Sequence, residues 1–278
     1  MMLSTALAAL GTPVHKTLFP YPWGPTLHAS RISLVFHTNL QASGTPLSWG
    51  AHLFGYLLMC WGGSFASHFL LGIPSPQIYA LGPWINYTMV HLFFTALFDY
   101  FPLPDSTLTN TVLFPLDGLL RANSVILALS HLKNPSVNPL LVASPLFHFL
   151  LGAAASSGGG LLGGTLNVWT PNWHFSTPPP LRSGVWGVWT TLDIWAGGVV
   201  AATYGLLTAH PAFQPLRAQI SFLDAKPFSV RDAKSASAAL MILLFGLRVY
   251  AMNTASKSPA KSSATTARKP SESKVKTQ

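Results

Sequence analysis

The chain has 278 residues, 49% of them hydrophobic and only 8% charged, with a formal net charge of +9 and a mean hydropathy of +0.39. A water-soluble domain carries about 25% charged residues, so this composition cannot cover a water-facing surface and excludes the soluble globular classes, nucleic-acid-binding domains among them. It reads as an all-α integral membrane protein, most of it embedded. A lone cysteine, Cys60, excludes an intrachain disulfide and a cysteine metal cluster; it reads as a small buried hydrophobe.

In chain order, the opening "MMLSTALAALGTPVHKT" has no basic start and only a short apolar stretch, which makes a poor secretory leader. We expect a mobile or interfacial N-terminus. A weak first span is predicted over 17–40; with Pro20, Pro22, His28, Arg31 and His37 it reads as a kinked helix packed among others. A bilayer crossing needs about 20 mostly apolar residues. Six clearer spans satisfy this: 49–71, 78–101, 109–132, 140–166, 183–208 and 233–252. Breaker-rich connections such as "GIPSP" (72–76), "PLPDS" (102–106) and "STPPPLRSG" (176–184) belong outside the hydrocarbon core. Trp169 and Trp173 fit an interfacial belt.

Residues 1–252 thus form a transmembrane domain. The remaining 26, with six Lys/Arg, one Glu and no aromatic, form a basic tail that cannot bury a core and is expected to be disordered. Basic residues beside a span end favour the cytosol, so the tail places the C-terminus there and the N-terminus across the membrane. Arg217, Lys226 and Arg231 in the last loop argue the other way.

The stretch "SSGGGLLGGT" (Ser156–Thr165) lies in a run without Asp, Glu, Lys or Arg from Leu140 to Leu166. Each glycine there costs a helix about 1 kcal/mol relative to alanine. A second cluster, Gly62-Gly63, occupies the middle of another span. Each would be the middle helix of a three-helix unit, so seven spans read as two inverted three-helix repeats plus a final helix, a plan recurrent in permeation and transport. Glycines permit close helix packing, or they let helices bend and expose carbonyls to a water-filled path. Charged residues inside spans are few: Asp99, Asp117, Arg121, Asp193, Lys234 and Arg248. Asp117 and Arg121, one turn apart, form a neutralising pair or line a pore. His52, His68, His91, His131 and His148 are scattered without metal-ligand spacing and read as packing groups. Asn86-Tyr87-Thr88 matches a glycosylation sequon but lies within a span.

Four stretches together resemble the trimeric intracellular cation (TRIC) channel family: "MCWGGSFASHFLLGIPSP" (59–76), "LFDYFPLPDS" (97–106), "PLDGLLRANSV" (115–125) and "GAAASSGGGLLGGTLNVWTP" (152–171). The likeness covers most of 49–252 in order. It implies a homotrimeric potassium channel of the endoplasmic reticulum or nuclear envelope, supplying counter-ion current during calcium release. It further implies that Gly62, Gly63, Gly158, Gly159 and Gly160 form the pore hinge, and that Arg121 faces a phosphoinositide headgroup, the one cofactor expected. Potassium ions and membrane lipids are the other partners implied. The family's motif lysine and glutamate are replaced by Asp117 and Gly118, and a further basic group by Ser124, which weakens the lipid expectation. A secondary transporter of three-plus-one-plus-three plan is the alternative. A retinal protein lacks its central lysine in the last span, where Lys234 sits at the start. No Ser/His, paired-Asp or metal-ligand set points to an enzyme.

Overall fold

The computed structural model describes residues 2–182, 187–220 and 227–257. It is mostly helical. Met2–Ala9 (α1) precedes a small hairpin of Pro13–His15 (β1) and Phe19–Pro22 (β2), a departure from a purely helical chain. Then follow Trp23–Ser43 (α2), Trp49–Leu71 (α3), the single turn Pro76–Tyr79 (α4), Leu81–Tyr100 (α5) and Ser106–Ser130 (α6). Pro139–Val142 (α7), Pro145–Leu166 (α8), Leu192–Leu207 (α9), Gln214–Arg217 (α10) and Val230–Lys257 (α11) complete the described chain.

The boundaries have local causes. Ser48, Asp105 and Ser144 cap α3, α6 and α8 by accepting backbone N–H bonds from Ala51, Leu108 and Phe147. Gly44 and Gly72 end α2 and α3 in the left-handed region, at φ 63° and 69°, where glycine carries no Cβ penalty. Pro20 and Pro22 lie before α2, in the hairpin, so they do not kink it as the sequence suggested; Pro25 falls in the first turn, where a missing N–H costs little. The N-terminal segment contacts the bundle: Leu10 is buried, and Arg231 Nη2 on α11 donates to Ser4 Oγ at 2.9 Å.

Among the described residues, four helices are long and apolar enough to cross a membrane: 49–71, 106–133, 145–166 and 230–254. A fifth crossing is possible if α9 and the segment 211–217, bent by 96°, count as one. α2 and α5 fall short because of their polar residues, whose partners are described below. α9 begins at Leu192, whereas the sequence reading began its span at 183; residues 183–186 lie outside the described part. α11 runs five residues past Met252, and of the expected tail, 258–278 lie outside the described residues.

Neighbouring positions give the helix directions. Gly55 meets Val168 beyond the end of α8, Gly62 meets Gly159, and Gly63 meets Ala155, so α3 and α8 are antiparallel. Thr26 pairs with Asn86, Ser33 with His91 and His37 with Thr95, so α2 and α5 are parallel. Two apolar cores result. One joins α6, α8, α9 and α11 through Val125, Leu151, Val200 and Met241; the other joins α2 and α3 through Phe36, Tyr56 and Trp61, closed by Val168.

Candidate functional site

The site is built on the α3–α8 crossing. Both helices run unbroken through their glycines. A Cβ on Gly62 would lie 2.9 Å from Gly159 Cα, and one on Gly158 2.9 Å from Gly63 Cα. A Cβ on Gly159 would overlap the Met59 carbonyl oxygen, and one on Gly63 would reach 3.0 Å from the Ala155 carbonyl. These four glycines therefore place two backbones in direct contact, the close approach that small residues permit between membrane helices. Gly160 differs: it is exposed, with nothing within 4 Å of its Cβ direction. A second backbone contact, Gly152 against Gly197, holds α8 to α9. Away from the α3–α8 contact, Trp61 Nε1, on the side of α3 that packs on Trp84 and Tyr87 of α5, and Ser156 Oγ, on the side of α8 that packs on Gly197 of α9, have no hydrogen-bond partner among the described residues.

Charge surrounds the crossing in two separate sets. Arg31 on α2 grips Asp117 on α6: Nε lies 2.8 Å from Oδ1, and Nη2 donates to Oδ2 at 3.0 Å and to Asn110 Oδ1 at 2.7 Å. Arg121 on α6 and Arg248 on α11 converge on Asp193 at the start of α9, at 2.9 and 2.8 Å. Arg248 makes an aligned hydrogen bond to Oδ2. Arg121 Nη1 also donates to Ser156 O (3.0 Å) and Ser157 Oγ (3.1 Å) on α8. The Arg121 guanidinium also lies 4.8 Å above the Phe245 ring. A bidentate pair and a shared carboxylate are how ionised groups persist away from water. Asp117 and Arg121 are thus not partners of each other; each points to a different neighbour across the bundle. The sequence spacing suggested the intrahelical pair because one turn on a helix is short, but interhelical partners at 2.8–2.9 Å satisfy both charges better.

The third feature was invisible in the sequence. Three of the histidines, His37, His52 and His91, meet between α2, α3 and α5, with ring centroids 4.9–5.4 Å apart. His91 Nε2 lies 3.2 Å from His52 Nδ1, and His91 Nδ1 2.8 Å from Ser33 Oγ. His37 Nδ1 lies 2.8 Å from the Ser33 carbonyl, and its Nε2 3.2 Å from Thr95 Oγ1. Tyr56 stacks flat on His91 at 3.7 Å and donates to the Ala29 carbonyl. Two of the histidines read as scattered, His52 and His91, meet His37 because parallel α2 and α5 bring 37 beside 91, and antiparallel α3 brings 52 to the same level. Further along, His28 meets Tyr87 at 3.0 Å and Thr26 meets Asn86 at 3.1 Å. Every polar group that made 17–40 a weak span candidate has a partner of this kind.

No protein-family model, characterised protein or solved structure matches this chain.

The remaining sequence candidates are dispersed. Asp99 is exposed near the end of α5, and Lys234 stands in the second turn of α11. His68 lies tilted against His131 at 5.1 Å, and His148 packs edge-on toward His210 at 4.6 Å, both near helix ends. Cys60 is buried and free, as its apolar surroundings suggested. Among the described residues no group of three His, Cys, Asp or Glu side chains is arranged to hold a metal ion. Gly152 and Gly197 were missed by the sequence reading; "AGGVV" (196–200) carried the signal, a glycine pair inside an apolar helix.

Proposed function

We propose that the chain is a monovalent-cation channel, chiefly for potassium, in an intracellular membrane. In this reading α2, α3 and α5 form one three-helix unit, and α6, α8 and α9 a second, inverted copy. α11 is the seventh span and packs on the second unit. Each subunit of a homotrimer would hold its own pore between α3 and α8, passing counter-ion current during calcium release. The observation that supports this best is the α3–α8 crossing: two middle helices meet backbone to backbone at Gly62, Gly63, Gly158 and Gly159. In this reading the close contact of the two backbones is the closed conformation.

Separating α3 from α8 would uncover helix carbonyls, Met59, Ala154 and Ala155 among them, which lie against the opposing glycines. Carbonyl oxygens replace the hydration shell of a monovalent cation. The cationic groups flanking the crossing are neutralised or shared, so a passing cation would not face an unpaired guanidinium at Arg31. Purified protein in potassium-loaded vesicles tests the reading. A channel releases potassium down its gradient without any external counter-substrate, whereas a carrier requires one. Vesicles that retain potassium under an imposed voltage would overturn it.

A further inference from the structure

The three-histidine cluster lies on the face of α3 turned from α8. We propose that it is a proton-binding site, loaded at His37, whose occupancy sets the packing of the N-terminal half of α3.

The geometry at His37 suits a ring that exists in two protonation states. A backbone carbonyl only accepts, so the 2.8 Å contact with Ser33 O requires Nδ1 to carry a hydrogen. In the neutral ring Nε2 is then an acceptor, and the Thr95 hydroxyl donates to it across 3.2 Å. The same hydroxyl stands 2.9 Å from the His91 carbonyl. When Nε2 takes a proton, it donates to Thr95 Oγ1, and the Thr95 hydrogen turns to the His91 carbonyl. Both states are fully hydrogen-bonded with the heavy atoms in place. A histidine serving only as packing needs one such arrangement.

The proton reaches the site from the end of α5. Asp99, exposed and one turn beyond Thr95, is the charged group facing His37. The other titratable groups around the ring are His91 on α5 and His52 on α3, with Tyr56 beyond them against His91. Arg31, on the α6 side of α2, is engaged by Asp117. The chain from Thr95 through His37, Ser33 and His91 to His52 ends near Trp49, at the N-terminal end of α3. Because α3 and α5 are antiparallel, Asp99 and Trp49 lie at the same end of the bundle. The chain therefore does not connect the two sides of the membrane; it receives a proton and does not conduct one.

A charge on His37 sits 5.4 Å from the His52 ring and 5.2 Å from the His91 ring, and a second proton on either would repel it. His52 and Tyr56 belong to the stretch of α3 whose opposite face, Gly55 and Met59, packs on Val168, Gly159 and Gly163. Repulsion within the cluster thus acts on the same helical turns that touch α8.

The test uses the full chain in lipid nanodiscs, with ¹⁵N-labelled histidine rings followed from pH 8 to pH 4. One ring, absent in His37→Gln, should change from one bound hydrogen to two. Thr95→Val, which removes the acceptor for the second hydrogen, should lower its proton affinity about tenfold. Amide exchange over Trp49–Cys60, corrected for intrinsic pH dependence, should rise about tenfold across the same interval and stay flat in His37→Gln. None of these readouts requires ion conduction, so failure here and failure of the channel reading are separable. If no ring of the three gains a proton in the unmodified protein, the proposal is wrong, whatever the variants do. It is equally wrong if Thr95→Val leaves the titration unmoved.

Discussion

Replacing Gly159 and Gly160 one at a time by alanine separates a packing crossing from a flexible hinge. The two are adjacent on α8, and a hinge would be stiffened by either change. In a helix interior, Gly→Ala gains about 1 kcal/mol from backbone entropy. At Gly160 nothing lies within 4 Å of the new methyl, so that gain should appear in full. At Gly159 the methyl would overlap the Met59 carbonyl oxygen, a backbone atom that moves only if α3 moves. Overpacking of that kind costs about 1–3 kcal/mol, which offsets or exceeds the propensity gain. The two variants should differ by this overpacking cost, roughly 5- to 150-fold in the folding equilibrium. Thermal midpoints of the detergent-solubilised protein, read by fluorescence-detected size exclusion, measure the order. We expect Gly160→Ala above the unmodified protein and Gly159→Ala below Gly160→Ala. Equal upward shifts for both would refute the close-contact reasoning.

The Arg31–Asp117 pair should behave as a unit. Arg31→Met alone should cost about 3–5 kcal/mol by stranding the carboxylate, and adding Asp117→Leu should recover most of it; a double-mutant cycle in thermal midpoint that is simply additive would contradict the pairing. Phosphoinositide binding should be weak in native mass spectrometry, because Arg121 is already engaged by Asp193, Ser156 and Phe245. Asp117→Lys should not rescue it: the new cation would face Arg31, and expression should fall. A well-expressed Asp117→Lys with tighter lipid binding would count against this assignment. For topology, protease added to sealed microsomes should remove a C-terminal tag, and a protected tag would reverse the orientation inferred from the basic tail.

The sequence carried the helices well and their partners poorly. Residues 49–71 were delimited to the residue, since a serine cap, an apolar run and a following Gly72 are all local signals. The glycine clusters were visible, but not that α3 and α8 oppose them to each other, because contact between residues 62 and 159 depends on how helices assemble. The same holds for charge. Asp117 sits four residues from Arg121 but bonds Arg31, 86 residues away. His37, His52 and His91 have no motif spacing; only the parallel and antiparallel arrangement of three helices gathers them. The prolines before α2 suggested a kink where the structure has a hairpin, since proline at a helix start and proline inside a helix look alike until the cap is known.

The central claim is that the α3–α8 crossing closes a cation pathway. Reconstitution into planar bilayers with asymmetric potassium chloride measures it most directly, through the reversal potential. The account predicts single-channel steps whose current reverses close to the potassium equilibrium potential. An electrically silent bilayer, or a current reversing at the chloride potential, would contradict it.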